Sequence, residues 1–537
     1  MSSRFAWRHR PTMLFCASCF LLISIISQAA FAQQPATASN IKARDAASQD
    51  VDAVLASVGS ALNLPEEAAE GAFRIEGQGT FSGEPSTFGF DYDDSGRYMR
   101  WIKGPLSISS GFDGEKCWKL DWNKTPQLLE MRERDEELLG GAFASMAMFS
   151  PGAAFEFALD ESASTDDALA LTATPKGGTL AARIMIDRTT SRPVSLKLLT
   201  ARGSVTTVEE YREFNGRNLP AKASIKMASG QVNTYEVNSV KPTDALSAQT
   251  IAYPAAPADF TFDSEAPAAL PLKQAASGHL LVQAQINGDD PAWFILDTGA
   301  GSLCISTSLA AKVNMPGLGA VNVEGVGGSS LSQFRRAESM QVGPLTMQEP
   351  IFVEMDLDFL EQFMGVPISG ILGFEMFSRC VAEIDFVAPS VNLHDASQYE
   401  LAKGSWEELF FDSRHPAVRG TFDNTGEGIF MLDTGAAGST LVFHTPTVKK
   451  LNMLEGRETT SSQSAGVGGA VNVEIGTLSS FRFGGHEFKD QQVGFATEDH
   501  GAFANEGTTG VIGGVWIRPF TMVLDYSHKR IAFVKKD

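Results

Sequence analysis

The sequence is poor in cysteine, histidine and basic residues. It has 5 cysteines and 8 histidines in 537 residues, and its 43 Lys and Arg are outnumbered by 64 Asp and Glu, for a formal charge of −21. Such an acidic chain is repelled by nucleic-acid phosphates and by anionic lipid headgroups, so neither is predicted as a partner. Hydrophobic residues make up 43% of the chain and charged residues 20%, which excludes broad disorder.

The sequence also lacks the motifs of several enzyme classes. It contains no Gly-x-Ser-x-Gly and no His-Glu-x-x-His, and its histidines show no pattern, so a serine hydrolase or a zinc protease lacks its essential parts. The Gly-Lys-Ser/Thr ending of a phosphate-binding loop is missing as well. Because the cysteines have no metal-ligand spacing, we predict no metal and no cofactor.

The first 32 residues differ in composition from the rest of the chain. Three arginines precede an apolar run over residues 13–26, and Ala30-Phe31-Ala32 places small residues where a signal peptidase would cut. This arrangement is typical of a secretory signal peptide, and the run is shorter than the ~20 residues that span a bilayer. We therefore predict a cleavable signal peptide over residues 1–32, followed by a soluble, exported protein.

Three of the five cysteines remain after this cleavage. Cys16 and Cys19 leave with the signal peptide, and Cys117, Cys304 and Cys380 stay in the mature chain. An odd number allows one disulfide at most, and we predict that these three side chains act as small buried hydrophobes.

The composition and turn signals of the remaining sequence predict several domains and connecting segments. A short helix beginning near Asp52 and many strands separated by turn signals indicate an α+β domain before a Pro/Ala-rich stretch. The predicted units are a flexible leader (33–50), the α+β domain (51–252), a linker (253–277) and two lobes (278–400 and 401–537).

Four short motifs occur twice in the C-terminal region, in the same order. The copies are offset by 136, 141, 140 and 140 residues. They are Trp293–Ala300 with Ile429–Ala436, Gly325–Gly328 with Gly466–Gly469, Gly370–Gly373 with Gly510–Gly513, and Asp385–Phe386 with Asp525–Tyr526. One such pair arises easily by chance, whereas four in register indicate a duplication of a lobe of ~130 residues. A structural repeat without catalysis is the alternative.

Each copy of the first motif ends in Asp-Thr-Gly-Ala after four apolar residues. An isolated buried carboxylate is costly, but two carboxyls about 3 Å apart can share one proton. The charged member then acts as general base on a water, while its protonated partner polarises the scissile carbonyl. We predict Asp297 and Asp433 as this catalytic pair. The alternative for each is an aspartate at a strand end that caps a turn.

The residues beside the two aspartates have predicted supporting roles. Gly299 and Gly435 permit a tight backbone that a side chain would obstruct. Thr298 and Thr434 carry hydroxyls that can form hydrogen bonds across a symmetric junction.

The order of these motifs resembles that of retropepsin-like aspartic proteases, with two lobes fused in one chain. The resemblance covers residues 278–537 and implies that the chain is its own pseudo-dimer, a monomer that acts on a peptide or protein substrate. It also implies that the glycine-rich segments are flaps closing over substrate, with ordinary hairpin glycines as the alternative. The flap candidates are Gly325, Val326, Gly327 and Gly328 in the first lobe, and Gly466, Val467, Gly468 and Gly469 in the second.

The sequence departs from the pepsin-like pattern at one position in each lobe. Pepsin-like enzymes usually have Ser or Thr after Asp-Thr-Gly, whereas this chain has Ala300 and Ala436. Alanine cannot donate a hydrogen bond to the ionised aspartate, so the pKa values of the pair should rise. Activity is therefore expected to extend toward mildly acidic or near-neutral pH.

The spaced turns and aromatics of residues 51–252 resemble the curved half-open sheet of LolA-like periplasmic lipoprotein carriers. Phe112-Asp113-Gly114 before Trp118 is part of this series, as is Phe214-Asn215-Gly216. The resemblance implies an apolar concavity with a lipid or lipoprotein as a possible ligand. A plain antiparallel sheet packed on helices is the alternative. With the signal peptide, the resemblance also implies a periplasmic location, with secretion as the other possibility.

The overall prediction is a mainly β protein. An N-terminal α+β domain with a curved antiparallel sheet precedes a two-lobed, pseudo-dimeric β-barrel fold of the acid-protease type. The predicted function is that of an exported aspartic endopeptidase. The alternatives are a lipid- or lipoprotein-binding protein with inert protease-like lobes, and a precursor that processes itself at the linker.

Overall fold

A computed structural model describes residues 19–20, 41–65, 67, 71–200, 203–244, 246, 251–254, 257, 259–423, 426–466 and 469–535. In these ranges the chain is mainly β, with strands in four sheets, which confirms the predicted fold class. Apart from Cys19–Phe20, the predicted signal peptide lies outside the described residues. None of the helices described is both long and apolar enough to cross a bilayer.

The N-terminal domain is one 13-stranded antiparallel sheet with two helices. The helices are α1 (Ile41–Ala61) and α2 (Met131–Ala144). With β1 assigned to Cys19–Phe20, the strands β2 to β14 are Ala72–Phe81, Glu84–Asp93, Tyr98–Lys103, Ile108–Phe112, Cys117–Leu120, Pro126–Leu129, Phe155–Leu159, Ala168–Pro175, Ala182–Asp187, Pro193–Leu198, Val205–Phe214, Arg217–Lys226 and Val232–Thr243. Their spatial order is β7-β6-β5-β4-β3-β2-β14-β13-β12-β11-β10-β9-β8.

Both helices pack on one face of this sheet. Leu62, just after α1, and Phe143 of α2 belong to the same buried cluster as Phe90 and Tyr92 of β3. An apolar sheet face must be covered by another element, and here the chain's own helices cover it. The aromatic residues on this face are therefore core residues of the domain.

Two predicted boundaries are wrong. Helix α1 begins at Ile41, inside the predicted flexible leader 33–50, because its Ala, Lys and Gln residues favour a helix as much as a leader. The predicted linker 253–277 contains strands Phe260–Phe262 and Leu272–Gln274, which pair with the first lobe. Their apolar side chains pack against the core of the lobes, and proline is tolerated beside such edge strands.

The first lobe is an 11-stranded sheet with three short helices. Strands β15 to β25 are Phe260–Phe262, Leu272–Gln274, Leu280–Ile286, Ala292–Leu296, Cys304–Ser306, Gly317–Gly325, Gly328–Arg336, Ser339–Val342, Leu345–Gln348, Ile351–Met355 and Gly370–Leu372, and helices α3 to α5 are Thr307–Lys312, Glu361–Met364 and Phe374–Phe377.

The second lobe repeats this plan, and a shared sheet joins the two. Strands β29 to β36 are Phe410–Asp412, His415–Phe422, Gly426–Asp433, Leu441–Phe443, Thr459–Gly466, Gly469–Phe483, His486–Ala496 and Gly510–Gly513, and helices α6 and α7 are Thr445–Lys450 and Gly514–Ile517. The shared five-stranded sheet contains β26 (Val381–Asp385), β27 (Ser390–His394), β28 (Glu407–Glu408), β37 (Phe520–Asp525) and β38 (Arg530–Lys535). The two-residue strand β1 pairs in parallel with β33.

The same strand arrangement holds the aspartate loop of each lobe. In the first lobe, β25 pairs in parallel with β18, which ends just before Asp297, and antiparallel with β19. In the second lobe, β36 pairs in parallel with β31 and antiparallel with β32. The apolar-apolar-Gly segments therefore lie directly beside the strands that deliver the aspartates. Cys117, Cys304 and Cys380 are free and buried, as predicted.

Candidate active site

The two lobes bring Asp297 and Asp433 together in the interior. Each follows an apolar strand, and neither is exposed to any extent (0%). The carboxyl of each aspartate lies against the glycine of the other loop: a methyl group added to Gly299 would overlap the Asp433 carboxyl, and one on Gly435 would overlap that of Asp297. The two carboxyl groups thus face each other across the junction, where only glycine leaves them room.

Backbone N–H groups hold one oxygen of each carboxyl. Oδ1 of Asp297 accepts hydrogen bonds from the N–H of Gly299 at 2.7 Å and from that of Gly435 at 3.2 Å. Oδ1 of Asp433 accepts one from the N–H of Ala436 at 2.9 Å. Within the described parts of the chain, neither Oδ2 atom accepts a bond from another donor group. Both Oδ2 atoms therefore remain available for a proton and a reacting molecule.

The two threonines form a reciprocal set of hydrogen bonds across the lobes. The Thr434 hydroxyl accepts from the N–H of Thr298 at 2.9 Å and donates to the carbonyl of Leu296 at 3.1 Å. The Thr298 hydroxyl accepts from the N–H of Thr434 at 3.0 Å and donates to the carbonyl of Leu432 at 2.8 Å. Each hydroxyl uses its donor and an acceptor, so the junction is fully bonded in both directions.

Both carboxyls favour the protonated form. Burial raises the pKa of Asp433 to about 7. Burial and, after it, the negative charge of Asp433 raise the pKa of Asp297 well above its usual range. Burial is the largest cause of both shifts. Since two adjacent carboxyls cannot both ionise, the pair shares one proton.

The first flap candidate reaches across to the second lobe. Val326 is fully buried in an apolar cluster whose other members belong to the second lobe, among them Val471 and Phe503. A methyl group on Gly501 would overlap the Val326 carbonyl. In the second flap candidate, Gly466 is the last residue of β33 and Gly469 is the first residue of β34. A methyl group added to Gly469 would lie 3.9 Å from the Cα of Gly327 in the first candidate. Val467 and Gly468 lie outside the described residues.

A groove of about 730 Å³ runs beside these two hairpin tips. Its lining combines exposed apolar side chains, Leu331 and Phe359, with the carboxylate-bearing Glu354 and with Gly466 and Gly469. The groove is therefore lined by polar and apolar side chains of the first lobe and by two glycines of the second.

One histidine that the motifs did not indicate, His279, belongs to the site. Both His279 and His415 precede the aspartate of their lobe by 18 residues, so histidine is patterned after all, and an alignment of the two lobes shows it. Nε2 of His279 donates to the carbonyl of Gly435 in the opposite loop at 2.8 Å, and its Nδ1 accepts from the Ser277 hydroxyl at 2.8 Å. Burial lowers the pKa of His279, which keeps its ring neutral in this bridging role.

The aspartyl protease family model matches the chain twice, over residues 282–376 and 418–516. No curated protein sequence matches the chain. Among solved structures, an aspartic proteinase from Irpex lacteus is 12% identical and has a TM-score of 0.32, covering 50% of this chain and 97% of that one. Basic 7S globulin from soybean is 12% identical with a TM-score of 0.31, covering 52% and 96%.

The N-terminal domain has structural neighbours of its own. A LolA superfamily protein from Nitrosomonas europaea is 13% identical with a TM-score of 0.28, covering 37% of this chain and 96% of that one.

The two matches to the aspartyl protease family model include both Asp-Thr-Gly loops and both apolar-apolar-Gly strands, in agreement with the retropepsin-like resemblance. The C-terminal region of this chain thus contains two consecutive segments that are each similar to the aspartyl protease family.

Proposed function

We propose that this protein is an aspartic endopeptidase that hydrolyses peptide bonds with a water activated between Asp297 and Asp433. The observation that carries the proposal is the pair of buried, facing carboxyls, each with one oxygen fixed by backbone N–H groups and the other unoccupied by a protein donor in the described chain. A shared proton gives this pair both an acid and a base without a metal or a cofactor.

The shared proton gives the pair its two roles. The ionised carboxyl takes a proton from the water, whose oxygen attacks the scissile carbonyl carbon. The protonated carboxyl donates its proton to the carbonyl oxygen, and a tetrahedral diol forms. As the diol collapses, the C–N bond breaks, a proton passes to the leaving amine, and the pair returns to its singly protonated state.

The proposal is tested by the cleavage of an unfolded protein over pH 2–8 with the parent, Asp297→Asn and Asp433→Asn. Either substitution alone should reduce turnover at least a thousandfold, because each removes one half of the acid–base pair. Asp385→Asn is the matched control, since Asp385 accepts hydrogen bonds from Val387 and Ala388 at a turn away from the pair. An active pair variant, or a parent with a sharp optimum at pH 2–3, contradicts the proposal.

We also propose that the chain is exported through the signal peptide over residues 1–32 and works in the periplasm as a monomer. The basic, apolar and small-residue segments of this stretch support the proposal. Mass spectrometry of the protein from its native host should give an N-terminus at Gln33. An intact N-terminus in a cytoplasmic fraction would rule out this part of the proposal.

A further inference from the structure

One turn of the N-terminal domain is inserted into the first protease lobe. Residues 121–125, here called the docking turn, connect β6 to β7. Asp121, Asn123 and Thr125 are at most 3% exposed, although they are polar. Polar side chains of a surface loop are normally solvated, so their burial needs partners, and these partners belong to the protease.

Asn123 pairs with the first lobe through both ends of its amide. Its Oδ1 accepts from the N–H of Ile351 at 2.7 Å, and its Nδ2 donates to the carbonyl of Ile351 at 2.9 Å and to Oε1 of Glu375 at 3.2 Å. The carbonyl of Asn123 accepts from Arg379 at 2.7 Å. The turn thus occupies one fixed position in this lobe.

Glu375 carries this contact to the loop that follows the catalytic aspartate. It is completely buried, and its Oε2 accepts from the N–H of Leu303 at 2.8 Å. Its Oε1 accepts from the Ser302 hydroxyl at 3.2 Å as well as from Asn123. Asn123 and the loop after Asp297 are therefore bound to the same carboxylate.

Arg414 makes a second connection from the docking turn to this loop. Its Nη1 donates to the carbonyl of Gly301 and to the Ser302 hydroxyl, both at 3.2 Å, and its Nη2 forms an ion pair with Asp121 at 3.2 Å. The guanidinium also lies 4.4 Å from the ring centre of Trp122. Arg414 has a φ of 74°, a left-handed conformation that costs a non-glycine residue energy and that these contacts stabilise.

The loop after Asp433 is held in a different way, because Arg518 of the second lobe itself donates to the carbonyl of Ala437. The repeat aligns Glu375 with Val515, which is 37% exposed, and Ser302 with Gly438, which is also exposed. The loop after Asp433 is therefore more exposed at this position than the loop after Asp297. Of the two loops, the first is the one whose supporting residues, Glu375 and Arg414, also contact the N-terminal domain.

We infer that the docking turn positions the active-site loop of the first lobe, so that the N-terminal domain is a working part of the protease. The inference rests on the proposed function. Asn123 and Asp121 act through Glu375 and Arg414, and they touch no reacting atom. A displacement of Asp297 by about 1 Å costs on the order of a hundredfold in rate.

The test uses the full-length Asn123→Leu variant, which keeps the side-chain shape and removes its hydrogen bonds. We expect kcat to fall at least tenfold with KM unchanged. We also expect amide hydrogen exchange in residues 300–306 to accelerate at least tenfold, while the equivalent residues 436–442 remain as in the parent. Glu130→Gln is the control. Glu130 also joins the N-terminal domain to the protease region, through an ion pair with Lys529 at 2.7 Å, but this pair does not involve residues 300–306.

A parent-like kcat and parent-like exchange in Asn123→Leu would overturn the inference, as would an equal effect of Glu130→Gln. If Asn123→Leu does not fold, the same two measurements are made on Asp121→Asn, which removes only the charge that pairs with Arg414. A parent that cleaves no substrate defeats the proposed function, and the exchange measurement then still decides whether the turn holds the loop.

Discussion

The backbone N–H of Gly435 donates a hydrogen bond to the carboxyl of Asp297, the aspartate of the opposite lobe, at 3.2 Å. The loop of each lobe therefore helps to place the functional group of the other. A water held by both carboxyls depends on this placement, because neither lobe by itself contains a complete acid–base pair.

The reciprocal threonine bonds should contribute strongly to stability. Thr298→Val keeps the side-chain shape but leaves the buried N–H of Thr434 and the carbonyl of Leu432 without their partner. We expect a loss of about 2–4 kcal/mol in the free energy of unfolding, measured by urea denaturation, since each orphaned group costs about 1–3 kcal/mol. Thr440→Val, which removes one exposed bond to Gln492, should cost under about 1 kcal/mol. Equal losses in the two variants would contradict this role.

The aspartate pair should make the protein less stable as the pH rises toward neutrality. The folded pKa of Asp433 is raised from 3.8 to about 7, so the folded state binds more protons than the unfolded state within this window. The free energy of unfolding should therefore fall between about pH 4 and pH 7. Asp433→Asn should flatten this slope in denaturation curves at pH 4, 5.5 and 7. A slope identical to that of the parent shows that the pair does not carry a raised pKa.

Closure of the first flap should depend on Gly501. A methyl group there would overlap the carbonyl of Val326, so Gly501→Ala should displace the flap and raise KM at least tenfold. Gly485→Ala is a matched control, because Gly485 has nearly the same φ, 68° against 70°, and nothing within 4 Å of the added methyl. Steady-state kinetics of both variants separate the contact from backbone strain. An equal rise of KM in both variants would show that backbone strain, and not the contact with Val326, causes the change.

His279 should hold the second active-site loop as a neutral bridge. His279→Phe removes the donor to the carbonyl of Gly435, and we expect kcat to fall about 10- to 100-fold, as for other small displacements of a reacting group. His500→Phe is the control, since His500 is exposed and far along the chain from the aspartate loop. Unchanged kcat in the His279 variant would show that the loop keeps its position without the bridge.

The sequence allowed the two aspartate loops to be predicted as a facing pair because their determinants are local and duplicated. Asp297 and Asp433 each follow an apolar strand, and the repeat places them in equivalent positions. The mainly β class followed from alternating strands and turn dipeptides such as Asn215-Gly216, where both residues have positive φ.

Other parts of the structure could not be predicted because they depend on contacts between distant segments. Asn123 and Glu375 are 252 residues apart, and no local pattern relates a turn of one domain to a carboxylate of another. Helix α1 was placed too late because an Ala-rich segment suits both a leader and a helix until packing decides. The role of His279 could not be predicted because its partner, the carbonyl of Gly435, lies 156 residues away in the other lobe.

The most direct test of the shared-proton mechanism is a double-mutant cycle with Asp297→Asn, Asp433→Asn and the double variant, measured as kcat on one peptide substrate. Two groups that act as one unit should give non-additive effects, so the double variant should be no slower than either single variant within about threefold. If the two losses instead multiply, or if one single variant cleaves as fast as the parent, the aspartates do not work as a pair.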